Sequence, residues 1–213
     1  MPSSRVEMRW LMLEIQNASK SWGSRKVLDR FSARFPDQGN VCLIGPSGCG
    51  KTTLFSCLAG VETLDSGRIV GLEGRKAAVV FQEDRLLPWF TAAENIAAVL
   101  SGTKQERLRE AEYWLGRVGL GGEGKKLPAQ LSGGMQRRVA LSRALAFHGD
   151  LLLLDEPFQR LDSENRDRMA ELLLRGAETR LRIFITHDPE EAARYADATY
   201  VVAGPPLHVL RIQ

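Results

Sequence analysis

The spacing of apolar residues changes character along the chain. Up to residue 44 it is strand-like, with a short apolar segment at 11–15, an alternating one at 31–35, and the continuous run Val41, Cys42, Leu43, Ile44 ending at Gly45. Alternation marks a half-buried strand, and a bounded continuous run marks a fully buried one. Residues 67–81 hold two more strand-like runs around a turn at 71–74. From 83 to about 143 the period becomes helical, first at 92–100 and then at 104–118. In the second helix Leu108, Ala111, Leu115 and Val118 share one stripe, which reads as a core-facing side before it reads as a partner groove. A glycine-rich connection at 119–124 follows. Strands at 151–154, 183–185 and 199–202 then alternate with helices near 163–179 and 189–195, and Pro205 and Pro206 turn the chain into a last short strand. Alternating β and α segments predict an α/β fold with a largely parallel sheet.

Composition narrows the partners more than the fold. A chain of 213 residues can bury one substantial core, with room for a small inserted subdomain. Its 29 basic and 26 acidic residues leave a net charge of +3 and are interspersed, which argues against a nucleic-acid surface. No apolar stretch approaches the roughly 18 residues a membrane span needs, so a soluble chain is expected. Residues 1–10 include Glu7 and lack a long apolar segment, so they read as a loose leader and not a secretory signal. The run to Gln213 predicts no appended regulatory domain. Three cysteines, Cys42, Cys49 and Cys57, lack metal-ligand spacing, and their odd number fits a reducing cytoplasm better than a disulfide framework.

The chemistry concentrates at strand ends. Directly after the 41–44 run comes GPSGCGKT: Gly45, Pro46, Ser47, Gly48, Cys49, Gly50, Lys51, Thr52, with Thr53 opening a helical segment. Such a loop turns backbone N–H groups inward to cradle phosphates, and the following helix adds the positive end of its dipole. Lys51 is then a charge for β and γ phosphates, and Thr52 a hydroxyl ligand for Mg²⁺. The competing reading is a plain glycine-rich turn. Cys49, at a helix N-terminus, is expected to react with alkylating reagents when nucleotide is absent. A second motif, LSGGMQ at 131–136, arises by chance in on the order of one chain in a hundred thousand of this length. Ser132 suits a helix N-cap, and Gly133 and Gly134 leave the first turn's amides bare for a close-approaching anion. The apolar run 151–154 ends in Asp155 and Glu156, two carboxylates at a sheet edge where ligands of open α/β sheets bind.

With the phosphate loop and LSGGMQ together, the chain resembles the nucleotide-binding subunit of an ABC transporter over about residues 13–209. The resemblance implies a P-loop NTPase (RecA-like) α/β core, a small antiparallel β subdomain shortened around 67–81, and an inserted α-helical subdomain. On that basis the whole chain, 1–213, is one ABC ATPase domain, with 11–82 and 144–213 as ATP-binding core and 83–143 as helical subdomain carrying the signature. It further implies that two copies pack head to tail, so that Ser132, Gly133, Gly134 and Gln136 of one close over the ATP held by the loop of the other. Asp155 then holds Mg²⁺ through water, and Glu156 polarises the attacking water. His187, after the strand at 183–186, resembles the switch histidine that contacts the γ phosphate. Gln82, after the run 77–81, reaches Mg²⁺ and the attacking water. Trp22 resembles the aromatic on which adenine stacks, where the family more often has tyrosine; a core tryptophan is the alternative. Leu161 and Asp162 match the end of the loop between the two ATP sites, while Gln159 and Arg160 stand where smaller residues are common, Arg160 with open water as its simplest surrounding.

FQEDRLLPW at 81–89 and LSGGMQRRVALSRAL resemble the bacterial importer group for nitrate, sulfonate and taurine. The implied function is an ATP-hydrolysing subunit that drives uptake of a small solute through separate membrane permease subunits, with a solute-binding protein in the full system. It places the chain at the inner face of the cell membrane through those partners. Pro88, Trp89 and Phe90 form an apolar stretch suited to a partner helix or to packing within the subdomain. Exporter and lipoprotein-release ATPases share every catalytic residue and differ in the docked membrane protein. A soluble ABC protein of DNA repair or translation is disfavoured by the lack of long coiled coils or a second ATPase domain, and a P-loop kinase has no use for LSGGMQ.

Overall fold

The computed structural model describes residues 12–176 and 180–213. The expected leader at 1–10, and Leu11 and residues 177–179 of the expected first strand and 163–179 helix, lie outside the described residues. Two sheets organise the chain. The first is antiparallel, in the order β2-β1-β4, built from β1 (Leu13–Trp22), β2 (Arg25–Phe35) and β4 (Ser66–Val70). The second has the order β5-β6-β7-β3-β8-β9. Its members are β3 (Gly39–Ile44), β5 (Ala77–Val80), β6 (Leu151–Asp155), β7 (Leu181–Thr186), β8 (Ala198–Ala203) and β9 (His208–Ile212). All its pairings are parallel except β8 with β9.

The two strand-like runs of 67–81 thus belong to different sheets. β4 closes the antiparallel sheet on β1, and β5 opens the parallel sheet on β6. β1 is longer than the segment expected from the apolar pattern, because register shifts between Ile15 and Ala18, and again before Lys20, break the alternation that marks a strand.

β6 and β7 are buried along their whole length, which explains the apolar runs 151–154 and 183–185: both faces of the parallel sheet are covered. On one face Val41, Leu43, Leu151, Leu153, Ile183 and Ile185 pack against the antiparallel sheet and against α1 (Lys51–Leu58). On the other, Cys42, Leu152, Leu154 and Phe184 meet the helices. These are α2 (Ala92–Ala97), α3 (Lys104–Arg117), α4 (Gly133–Ala146), α5 (Ser163–Leu174) and α6 (Pro189–Tyr195). In α3 Ala111 and Leu115, with Val118 just beyond, are fully buried, as the stripe requires. α4 runs unbroken past residue 143, so helices and sheet share a continuous core.

Sheet order decides where the chemistry gathers. With β5, β6, β7 and β3 adjacent and parallel, their carboxyl ends share one edge, as the pairings Asp155 with Ile185 and Ile44 with Thr186 fix. Gln82, Asp155, Glu156, His187 and the 45–50 loop all leave from that edge, distant in sequence and adjacent in space.

Candidate active site

The loop after β3 is shaped by its glycines. A Cβ on Gly45 would stand 2.2 Å from the Val202 carbonyl oxygen, so only glycine lets β3 end this close to β8. Gly50 takes a left-handed conformation, φ 116°, where the loop becomes α1. The buried Lys51 ammonium donates to the carbonyls of Gly45 (2.8 Å) and Pro46 (2.9 Å), spanning the loop it is expected to share with phosphate. One residue on, Thr52 Oγ1 donates to Asp155 Oδ2 at 2.9 Å. Burial pushes the Asp155 carboxyl above its ordinary range, opposed chiefly by that hydroxyl.

Above the loop lies an open cavity of about 440 Å³. Trp22, Arg25, Lys51, Gln82, Asp155 and Glu156 line it, together with Ser47, Gly48, Gly50, Thr52 and Thr53. Trp22 is 50% exposed, so it is not a core residue; the Lys20 ammonium stands 4.9 Å from its ring centroid. Glu156 adopts a left-handed backbone, φ 48°, unusual for a residue with a side chain, and its N–H donates to the Ile185 carbonyl at 3.0 Å. Its Oε1 lies 2.9 Å from Nδ1 of the exposed His187. That hydrogen bond, with the carboxylate's charge, raises the imidazole pKa above its ordinary value. His187 sits between the end of β7 and Asp188, whose side chain caps α6 by accepting from the Glu190 N–H at 2.9 Å.

The signature residues are ordered but stand apart from this cavity. Ser132 caps α4, accepting from the Met135 N–H at 3.3 Å, and Gly133 and Gly134 form the first turn. Gln136 turns inward, its amide donating to the carbonyls of Pro128 (2.9 Å) and Leu131 (3.1 Å), so its side chain holds the approach to the helix. None of these residues lines the phosphate-loop cavity of its own chain.

Two expectations are corrected. Cys49 is fully buried and faces the apolar core with Leu54 and Leu207, its sulfur 3.7 Å from the Lys51 ammonium, so it offers no open thiol at the loop. Arg160 does not simply face water: its guanidinium donates to Asp84 Oδ2 at 2.9 Å. Two further residues escape sequence reasoning. Arg25 lines the cavity and donates to the Gly48 carbonyl at 3.2 Å. Arg137 is completely buried behind the site and donates to the carbonyls of Phe81 (2.7 Å), Asp155 (2.7 Å), Glu156 (2.6 Å) and Pro157 (3.1 Å). A cation directly after the signature gives no sign in sequence of such a position.

A parallel α/β sheet with a glycine-rich phosphate loop, a threonine–aspartate pair and a glutamate–histidine pair on one edge defines a P-loop ATPase. The ABC transporter family model matches residues 28–159, and the chain belongs to that family. It is 39% identical over 207 residues, 93% of this chain and 76% of the relative, to the aliphatic sulfonates import ATP-binding protein SsuB 2 of Burkholderia cenocepacia (strain HI2424). It is 40% identical over 216 residues, 93% of this chain and 82% of the relative, to the taurine import ATP-binding protein TauB of Rhizobium johnstonii (strain DSM 114642 / LMG 32736 / 3841). Among solved structures it superposes on the ATP-binding cassette MJ0796, described as a dimer in a post-hydrolysis state bound to ADP and Pi, with a TM-score of 0.85 and 26% identity over 95% of this chain and 98% of that one.

Proposed function

We propose that the chain is the ATP-binding and ATP-hydrolysing subunit of an importer of a small solute, working as a head-to-tail pair of copies on separate membrane-spanning subunits. The observation that carries this is the Glu156–His187 pair at 2.9 Å, set on the same sheet edge as Lys51 and Thr52 and beside a cavity with room for a nucleotide. The names of the related import subunits support the direction of transport, and the dimeric cassette supports the pair. The sulfonate and taurine relatives are about equally similar to this chain, so the likeness does not single out one solute.

In this reading adenine stacks on the open face of Trp22, and the backbone N–H groups of 45–52 take the phosphates. Lys51 exchanges its loop carbonyls for β and γ phosphate oxygens. Thr52 Oγ1 and Asp155 are hard oxygen donors 2.9 Å apart, a set that fits Mg²⁺, with Gln82 as a third group. That ion would neutralise charge developing between the β and γ phosphates. Glu156 orients a water for in-line attack on the γ phosphorus and accepts its proton at the carboxylate, as the bond from phosphorus to the β–γ bridging oxygen breaks. His187 holds that carboxylate's orientation and faces the departing phosphate. Ser132, Gly133 and Gly134 complete the site of the other copy.

Among the described residues no helix is long and apolar enough to cross a membrane, so attachment to the inner face of the cell membrane falls to partners. Trp89, 70% exposed, and Phe90 at the edge of a groove between α2 and α3 offer an apolar contact for a permease segment. A solute-binding protein and the absence of nucleic acid complete the assembly. Glu156→Gln tests the reading: ATP binding should persist while turnover falls at least ~100-fold, as expected on loss of a general base. Wild-type hydrolysis in that variant would remove Glu156 from its role.

A further inference from the structure

Behind the cavity, three charged residues from three separate segments form one cluster. Arg137 projects from α4, one turn beyond the capping Ser132. Asp84 lies in the segment after Gln82, and Arg160 in the 157–162 loop after β6. Arg137 is completely buried, and its guanidinium bridges the carbonyl of Phe81, at the end of β5, to those of Asp155, Glu156 and Pro157, at the end of β6. A longer contact of 3.5 Å reaches the Gln82 carbonyl. Asp84, itself buried, receives Arg137 on Oδ1 at 3.1 Å and Arg160 on Oδ2 at 2.9 Å.

Fastening α4 to the sheet does not require a charge. An apolar or neutral side chain of similar shape avoids the desolvation that a buried ion pair incurs, and burial does depress the Arg137 guanidinium, with Asp84 opposing it. What a guanidinium adds is a planar fork that holds several oxygens in fixed relative positions. The oxygens it holds belong to the residues that carry the reaction groups, or to their neighbours. Arg160 extends the contact outward: its backbone is left-handed, φ 66°, and its carbonyl oxygen would lie 3.0 Å from a Cβ on Gly134. The loop therefore lies directly against the glycines of the signature turn.

We propose that Arg137, Asp84 and Arg160 act as one positioning unit for ATP hydrolysis, fixing Gln82 and Glu156 in register with each other and with the turn at 132–134. This rests on the reading of Gln82 and Glu156 as reaction groups. Through this unit, a change at the signature turn reaches the backbone that carries the carboxylate by way of the 157–162 loop and the two guanidinium groups on Asp84.

The test compares MgATP hydrolysis, ATP affinity by equilibrium dialysis and thermal midpoint for the full chain and its variants. Arg160→Met and Asp84→Asn should each lower kcat about fivefold with KM and affinity within about twofold, and the double variant should be no worse than the poorer single, as for residues acting through one contact. Arg137→Gln should lower kcat at least about tenfold, and Arg137→Lys should recover part of it. Arg160 is half-exposed, so Arg160→Met keeps the test decisive if Arg137→Gln does not fold. The proposal is overturned if both single variants keep kcat within about twofold of wild type, if their losses multiply in the double variant, or if affinity falls in step with kcat. Glu156→Gln is run in parallel. If it is inactive while Asp84→Asn and Arg160→Met are fully active, only the positioning unit is wrong; if it hydrolyses normally, the assignment beneath it is wrong.

Discussion

Glu156 is held by backbone and side chain together. Its left-handed conformation departs from what a side-chain-bearing residue prefers, and the N–H bond to Ile185 keeps it there, so the carboxylate projects toward His187 and not along the strand. The imidazolium held against that carboxylate contributes stability that is complete below the ordinary histidine value of 6.5 and fades as pH rises through the raised value. His187 is largely exposed, so solvent screening keeps the energy small. The sharper expectation is spectroscopic: Glu156→Gln should move the His187 titration midpoint down toward its ordinary value, read from imidazole NMR shifts, and an unmoved midpoint would separate the two residues. Glu156 and Lys51 were legible in sequence because one follows a buried apolar strand and the other closes the glycine-rich loop that opens α1; His187 was legible as a strand-end residue, and its role came from the family resemblance. Arg137 was not legible. It stands beside Arg138 on a helix, where charges usually face water, and only the packing of two strand ends against α4 turns one inward. Cys49 failed for a related reason, since a loop's sequence does not say which of its sides meets the core.

At the level of elements, the last part of the segment between β5 and α2, residues 87–91, is fastened by one buried amide. Asn95 Oδ1 accepts from the Leu87 N–H at 2.8 Å, and its Nδ2 donates to the carbonyls of Leu87 (3.1 Å), Phe90 (3.0 Å) and Thr91 (3.1 Å). The capping box between Thr91 and Glu94 then fixes the start of α2. Asn95→Ala removes the partner of the Leu87 N–H and of the Phe90 carbonyl, while the Leu87 and Thr91 carbonyls keep backbone donors, and should destabilise the fold by about 3 kcal/mol, measured by urea unfolding. A cost under about 0.5 kcal/mol would mean that water replaces the amide. Helices were well legible, because caps and apolar stripes are local. Strand partnership was less so: nothing in 67–81 shows that its two runs join different sheets, because pairing is decided by segments far away in sequence.

For the whole molecule, the phosphate cavity and the signature turn are both formed, yet the turn lies outside its own chain's cavity. If each turn serves a second copy, Ser132→Arg should abolish hydrolysis while ATP affinity for the same chain's loop stays within about twofold, a loss confined to turnover. Equal loss of affinity would indicate a role within one chain. The strand order has a consequence for how the molecule is made. Among the described residues β3, which carries the phosphate loop, pairs with β7 and β8, strands at residues 181–186 and 198–203. During synthesis its apolar edges have no partner until most of the chain has left the ribosome. Nucleotide therefore has no finished site to bind and cannot assist the early folding of the half that holds it.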